Sequence, residues 1–259
     1  MRAFAHYMLA VAFVACLAAA MMSAPAAADL ASARIAYEAG RWREAADFAA
    51  REESAEAQAF AAGALISALL VEADPGDRNR LAREAVRRAE RAVRLDPDDP
   101  VAKLRLAAAL GLHSRHMSPV LAYFRRMPQR GRDLIEASLA ARPGDSESMA
   151  LLGAWHLEVM RQAPNGAMGA SVSEGLAWYR AARAAAPDDP NISYHFALGL
   201  AALGLEEFDE EAREVLDAAL TAPPRDAFQR GLLAEAQALD AVWNDEEDRL
   251  ALCAERLER

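Results

Sequence analysis

Residues 85–106 read AVRRAERAVRLDPDDPVAKLRL and contain a helix stop followed at once by a helix start. Ala85, Ala89 and Ala92 follow one another at helical spacing before Pro97. Proline cannot continue a helix, and an aspartate after it can accept hydrogen bonds from the free N–H groups of the next helix. The stretch therefore predicts two helices joined by a short turn, with small side chains that let a neighbouring helix approach closely.

The same layout of helix, proline, polar turn and helix occurs four times. It is anchored by prolines that are 46, 44 and 37 residues apart, namely Pro97, Pro143, Pro187 and Pro224. Each proline is followed by a large apolar residue next to a small one: Leu106-Ala107, Leu152-Gly153, Phe196-Ala197 and Leu233-Ala234. One helix pair cannot bury its apolar faces alone, whereas stacked pairs share a continuous core.

These residues resemble the tetratricopeptide repeat (TPR), as does the turn Gly40-Arg41-Trp42-Arg43-Glu44-Ala45. The resemblance implies an all-α fold, a right-handed α-solenoid of about five helix pairs plus closing helices. We expect one domain over residues 29–259. Its pairs are predicted at 30–52, 56–97, 101–143, 146–187 and 190–224, with closing helices at 226–240 and 245–258.

Two insertions lengthen the repeats, at Gly111–Gly131 and Val159–Val172. Together with Leu151-Leu152-Gly153-Ala154-Trp155, this order of features resembles the regulator of microtubule dynamics family. The resemblance covers roughly residues 100–240 and implies a helical-repeat adaptor without known chemistry. Insertions of this kind tend to lie on one face and to carry function.

The N-terminus has the pattern of an export signal. Arg2 is the only charge in residues 1–28, an apolar run follows it, and Ala26-Ala27-Ala28 is a small-residue cleavage site. We therefore expect a signal peptide at 1–28 and a periplasmic or secreted protein. Two alternatives are lipidation at Cys16 and retention of the segment as a membrane anchor. Cleavage would leave Cys253 as the sole cysteine and exclude an internal disulfide.

Composition and the absence of several known motifs argue against several functions. The formal net charge of −10 argues against a nucleic-acid binder, which needs a basic face. The sequence contains no nucleophile elbow, Walker loop, dinucleotide fingerprint or H-E-x-x-H motif, so we expect neither catalytic residues nor a cofactor. His113 and His116 lack an obvious third ligand for a metal. His156 and His195 could revive an enzymatic interpretation only if they shared a polar pocket with a carboxylate.

The TPR resemblance implies a concave wall built from the first helix of each pair. Its positions in this sequence are mostly apolar and nearly uncharged, which argues against a clamp for a terminal carboxylate. We expect the wall to bind a segment of a protein partner, unless the closing helices or insertions already fill it. The candidate groove residues are Phe60, Leu104, Ala108, Ala154, Leu157, Asn191, Tyr194 and Leu198.

The first insertion is basic in an otherwise acidic chain. It contains a candidate patch for an anionic partner or anionic lipid headgroups: Arg115, Arg125, Arg126, Arg130 and Arg132. The simpler interpretation is an amphipathic helix that buries Val120, Leu121 and Phe124 and keeps the arginines in water.

Taken together, these patterns predict a non-catalytic TPR-type scaffold or adaptor of the bacterial cell envelope. The alternative is an assembly factor of an envelope complex, tethered through the N-terminal segment or a lipid. The sequence does not identify the partner.

Overall fold

The computed structural model describes residues 24–72, 74–163 and 167–258. Within these ranges it contains thirteen α-helices, two short 3-10 turns and no β-strand. The α-helices are α1 (Ala24–Glu38), α2 (Trp42–Ala49), α3 (Ala55–Val71), α4 (Pro75–Leu95), α5 (Pro100–Ser114), α6 (Pro119–Phe124), α7 (Met127–Ala141), α8 (Ser146–Gln162), α9 (Val172–Ala185), α10 (Pro190–Ala201), α11 (Asp209–Thr221), α12 (Ala227–Ala241) and α13 (Glu246–Leu257). The all-α class predicted from the sequence is confirmed.

The helices form the five predicted pairs, with a different boundary at the start of α1, and the third pair carries the extra short helix α6. The two helices of a pair pack against each other, and first helices also pack across pairs, as α3 does on α5 and α8 on α10. This neighbour-to-neighbour packing gives a helical-repeat-like architecture. Helix α1 begins at Ala24, earlier than predicted, while Cys16 and the apolar run of the expected signal peptide lie outside the described residues.

The turns between pairs are built as the proline–aspartate pattern predicts. Asp99 Oδ1 accepts a hydrogen bond from the Val101 N–H at 2.8 Å, and Asp145 Oδ2 accepts one from the Ser148 N–H at 2.9 Å. Asp189 and Asp226 cap α10 and α12 in the same way. Each cap satisfies a backbone donor that has no partner inside its helix.

Small residues occupy the contacts between helices. Ala85, Ala89 and Ala92 are fully buried, as the spacing predicted. The prediction that Leu233 and Ala234 form the large–small contact after Pro224 is wrong. Leu233 is half-buried and Ala234 is exposed. Helix α12 instead buries its other face, which consists of Leu232, Ala236 and Leu239.

A glycine allows α8 and α9 to pack closely. A Cβ at Gly153 would lie 2.7 Å from Cδ2 of Tyr179 and 3.0 Å from the Gly175 carbonyl oxygen, so only glycine fits there. The Tyr179 ring then stacks on Phe196 with centroids 4.6 Å apart. This contact joins the fourth and fifth helix pairs through the largest fully buried side chain of each.

Helix α12 crosses back to the beginning of the described chain, where it packs against α1 and α3. A Cβ at Gly231 would lie 3.1 Å from Cγ2 of Val71 and still closer to Cγ1. At the N-terminus of α12, the Cβ of Ala227 faces Gly40. The penultimate helix of the described chain is therefore in direct contact with the first and third helices.

Within the described residues, no helix is both long enough and apolar enough to cross a bilayer.

Candidate functional site

A cavity of about 790 Å³ lies between the first helices of successive pairs. Helices α3, α5, α8 and α10 supply most of its wall, while Tyr37 of α1 and Phe228 of α12 line it as well. Its volume falls within the range of roughly 300–1,000 Å³ that ligand pockets occupy. Phe228, at the beginning of α12, thus closes part of the cavity wall.

Five of the eight candidate groove residues line this cavity: Phe60, Leu104, Ala108, Ala154 and Asn191. The other three, Leu157, Tyr194 and Leu198, are not among its lining residues and are buried in the core.

Leu157 illustrates why the family positions do not transfer uniformly. Its side chain fills the space beside two glycines, with Cδ2 at 2.7 Å from the Cβ position of Gly175 and Cδ1 at 3.2 Å from that of Gly199. It therefore packs between α8 and its neighbours α9 and α10 rather than facing the groove.

The sequence predicted a nearly uncharged wall. This prediction is wrong, because charged side chains line the cavity. Arg105 of α5 lines it and donates hydrogen bonds to the Glu147 carboxylate of α8. Burial opposes the charge of Arg105, but the attraction of Glu147 outweighs it and raises the pKa of the guanidinium. Sequence reasoning missed Arg105 because the family's groove positions fall on Leu104 and Ala108 instead.

Two further polar contacts are fixed at the cavity wall. Tyr37 Oη and Ser67 Oγ are hydrogen-bonded at 2.9 Å, and burial raises the pKa of this tyrosine. His195 Nδ1 lies 2.9 Å from the carbonyl oxygen of Asn191. Burial lowers the pKa of His195, and the charge of Arg115 lowers it further.

Arg115 directly follows the last residue of α5 and is not among the residues that line the cavity. It is close enough to Tyr179 and His195 to affect their pKa values, and burial lowers its own pKa. The nearby carboxylate of Glu158 is already hydrogen-bonded to Arg161 at 2.8 Å. Among the described residues, Arg115 has no carboxylate within ion-pair distance.

His156 and His195 do not share a pocket. His195 lines the cavity, whereas His156 lines a separate surface depression with Arg132 and Glu174, and its Nδ1 accepts a hydrogen bond from the Ser171 N–H at 3.3 Å. In the described part of the chain, no group of three or more His, Cys, Asp or Glu side chains is arranged to hold a metal ion.

The five arginines of the candidate anionic-partner patch do not form one surface. Arg130 pairs with Glu90 at 3.0 Å, and Arg132 pairs with Glu136 at 2.7 Å and lies over the Trp155 ring. Arg115 turns towards the interior, as described above. Only Arg125 and Arg126 are exposed side by side, at the end of α6.

Comparison with known proteins assigns this chain to no family. Neither the models of protein families nor the curated proteins give a match to it.

Proposed function

We propose that this chain is a non-catalytic binding protein of the bacterial cell envelope, with a TPR-type α-solenoid that holds a short segment of a protein partner in its central cavity. The observation that carries the proposal is the cavity itself, which lies where the TPR resemblance implies a binding wall. The export-signal pattern of residues 1–28 supports the cellular location.

The chemistry of the wall suits a segment that is mainly apolar. Phe60, Ala108 and Ala154 offer apolar surface, and burying such surface is the main source of binding energy. Arg105, Glu147 and Asn191 offer hydrogen bonds that would fix the orientation of a backbone.

The size of the cavity limits the length of the segment. A helix with its side chains is about 10–12 Å across, so about 790 Å³ corresponds to roughly one and a half turns. A short extended segment of similar volume would also fit. The cavity therefore holds a short motif rather than a long helix, and the partner's remaining bulk lies outside it.

Photo-cross-linking in living cells tests this proposal. The full chain would carry benzoylphenylalanine at Ala108, which lines the cavity, or at Ala254, an exposed position of α13 that serves as the matched control. We expect a discrete adduct from position 108 only, and we expect Ala154→Phe to abolish it by occupying the cavity.

Two results would contradict the proposal: no adduct from position 108, or an adduct that Ala154→Phe leaves unchanged while circular dichroism shows a folded protein. Leu104 and Tyr194 are unsuitable positions for this test, because they are only 1% and 4% exposed. A charge introduced at either of these would unfold the core rather than test binding.

A further inference from the structure

Helix α6 exposes an unusual amount of apolar surface. Phe124 is 77% exposed, Val120 65%, Tyr123 56% and Leu121 41%. These are four of the eight large hydrophobic side chains that are exposed in the described residues, and they lie within a single six-residue helix. The amphipathic interpretation, in which Val120, Leu121 and Phe124 are buried, is wrong.

The local backbone explains why these side chains point outward. Ser118 caps α6 and Pro119 starts it, while Arg126 adopts a left-handed backbone conformation with φ of 53° immediately after it. The helix has too few residues to bury a full face, and Ala122 is its only buried residue. Met127, which is 7% exposed, anchors the chain again as α7 begins.

The exposed side chains of α6 cover a wide arc of the helix surface. At 100° per residue, positions 120, 121, 123 and 124 cover about 160° of the helix circumference. The Tyr123 and Phe124 rings meet edge to face with centroids 6.3 Å apart. Apolar side chains over so wide an arc can enter a fluid lipid phase, whereas a rigid protein partner would need a groove shaped to receive them.

The charge around α6 has the opposite sign to that of the whole protein. No aspartate or glutamate occurs between Asp99 and Asp133, although the chain carries a net charge of −10. Arg125 and Arg126 are exposed next to Phe124, and neither forms an ion pair with any of the described residues. Helix α6 and the two residues after it therefore combine exposed apolar side chains with two free guanidinium groups.

We propose that the α6 surface, defined as Val120, Leu121, Tyr123, Phe124, Arg125 and Arg126, docks the protein onto a bilayer of anionic phospholipid. Phe124 and Val120 enter the boundary between headgroups and acyl chains, and Tyr123 keeps its hydroxyl among the headgroups. Arg125 and Arg126 bind the phosphate groups. The acidic remainder of the protein is repelled, so the docked molecule has one defined orientation.

This inference is independent of the cavity, because α6 contributes no residue to the cavity wall. It also differs from tethering by the N-terminal segment, since it places the contact on a folded surface. A local probe is needed to distinguish the two, because residues 1–23 of the full chain could bind vesicles by themselves.

The test uses the full chain with Cys16→Ser and Phe124→Cys, labelled with the environment-sensitive fluorophore NBD; Cys253 is buried and stays unlabelled. The matched control carries the label at Ile35, which is 64% exposed on α1. Vesicles contain either equal phosphatidylglycerol and phosphatidylcholine or phosphatidylcholine alone. We expect a blue shift and a gain in emission for the label at 124 only, on anionic vesicles only, weakening as salt increases.

Charge variants complete the test. Each arginine near an anionic surface strengthens binding about fivefold. The double variant Arg125→Ala with Arg126→Ala should therefore weaken the affinity for anionic vesicles roughly 25-fold. Arg87→Ala, at an exposed arginine of α4, should leave it unchanged. An NBD label at 124 that stays water-exposed on anionic vesicles at low salt overturns the proposal and assigns the α6 surface to an acidic protein partner instead.

Discussion

The contact between Gly231 and Val71 predicts a substitution whose effect changes sign with its surroundings. Alanine is about 1 kcal/mol better than glycine inside a helix. Gly231→Ala in the interior of α12 should therefore stabilise the protein if nothing else changed. The new methyl would, however, overlap the Val71 side chain. Overpacking typically costs about 1–3 kcal/mol. The expected net effect is a destabilisation of up to about 2 kcal/mol.

Removing the Val71 methyl groups should reverse that effect. In a Val71→Ala background the Cγ atoms are gone, and Gly231→Ala should then stabilise by about 1 kcal/mol through helix propensity alone. The coupling between the two positions is therefore about 1–3 kcal/mol. Urea and thermal unfolding followed by circular dichroism measure it, since 1 kcal/mol shifts the Tm of a chain this long by about 2–4 °C.

Gly111→Ala is the matched control, because a Cβ at this exposed position of α5 meets no atom within 4 Å. It should stabilise by about 1 kcal/mol in either background. Equal stabilisation by Gly231→Ala in both backgrounds would refute the reasoning, because it would mean that α12 does not rest on α3 in solution.

Two further predictions concern titration and reactivity. Burial holds the pKa of His195 in the folded protein below its value of about 6.5 in the unfolded chain. The stability that the neutral imidazole contributes is therefore complete above about pH 6.5 and is lost as the pH falls below 6.5. The fall in Tm between pH 8 and pH 5.5 should therefore be smaller in His195→Gln than in the parent, and an unchanged fall would contradict this. Burial raises the pKa of the Cys253 thiol to about 11, so in a Cys16→Ser protein Ellman's reagent at pH 8 should react only after denaturation. Rapid reaction of the folded protein would show that α13 opens readily.

The features that sequence reasoning located are those encoded within a few neighbouring residues. Prolines and aspartates mark where one helix ends and the next begins, so the turn at Asp99 and its cap follow from local chemistry. The burial of Ala85, Ala89 and Ala92 also follows from local spacing, because residues three or four apart share one helix face.

The features that it missed depend on contacts between distant segments. Nothing near Gly231 shows that α12 rests on Val71, some 160 residues earlier in the chain. Apolar spacing in α6 predicted burial, because a pattern shows which residues share a face but not whether another helix covers it. Arg105 was missed for a related reason, since the inherited groove positions assume one fixed rotation for every first helix.

The contact between α12 and the first helices also affects how the molecule assembles. A ribosome delivers the chain N-terminus first, so α1 and α3 emerge long before the helix that rests on them. Contacts so far apart in sequence form late, because the entropy of closing a long loop opposes them. The pairs up to α11 can stack as they appear, but the cavity wall lacks Phe228 until α12 arrives. A chain that stops short of α12 would lack Phe228 and would leave the apolar cavity wall more exposed to solvent.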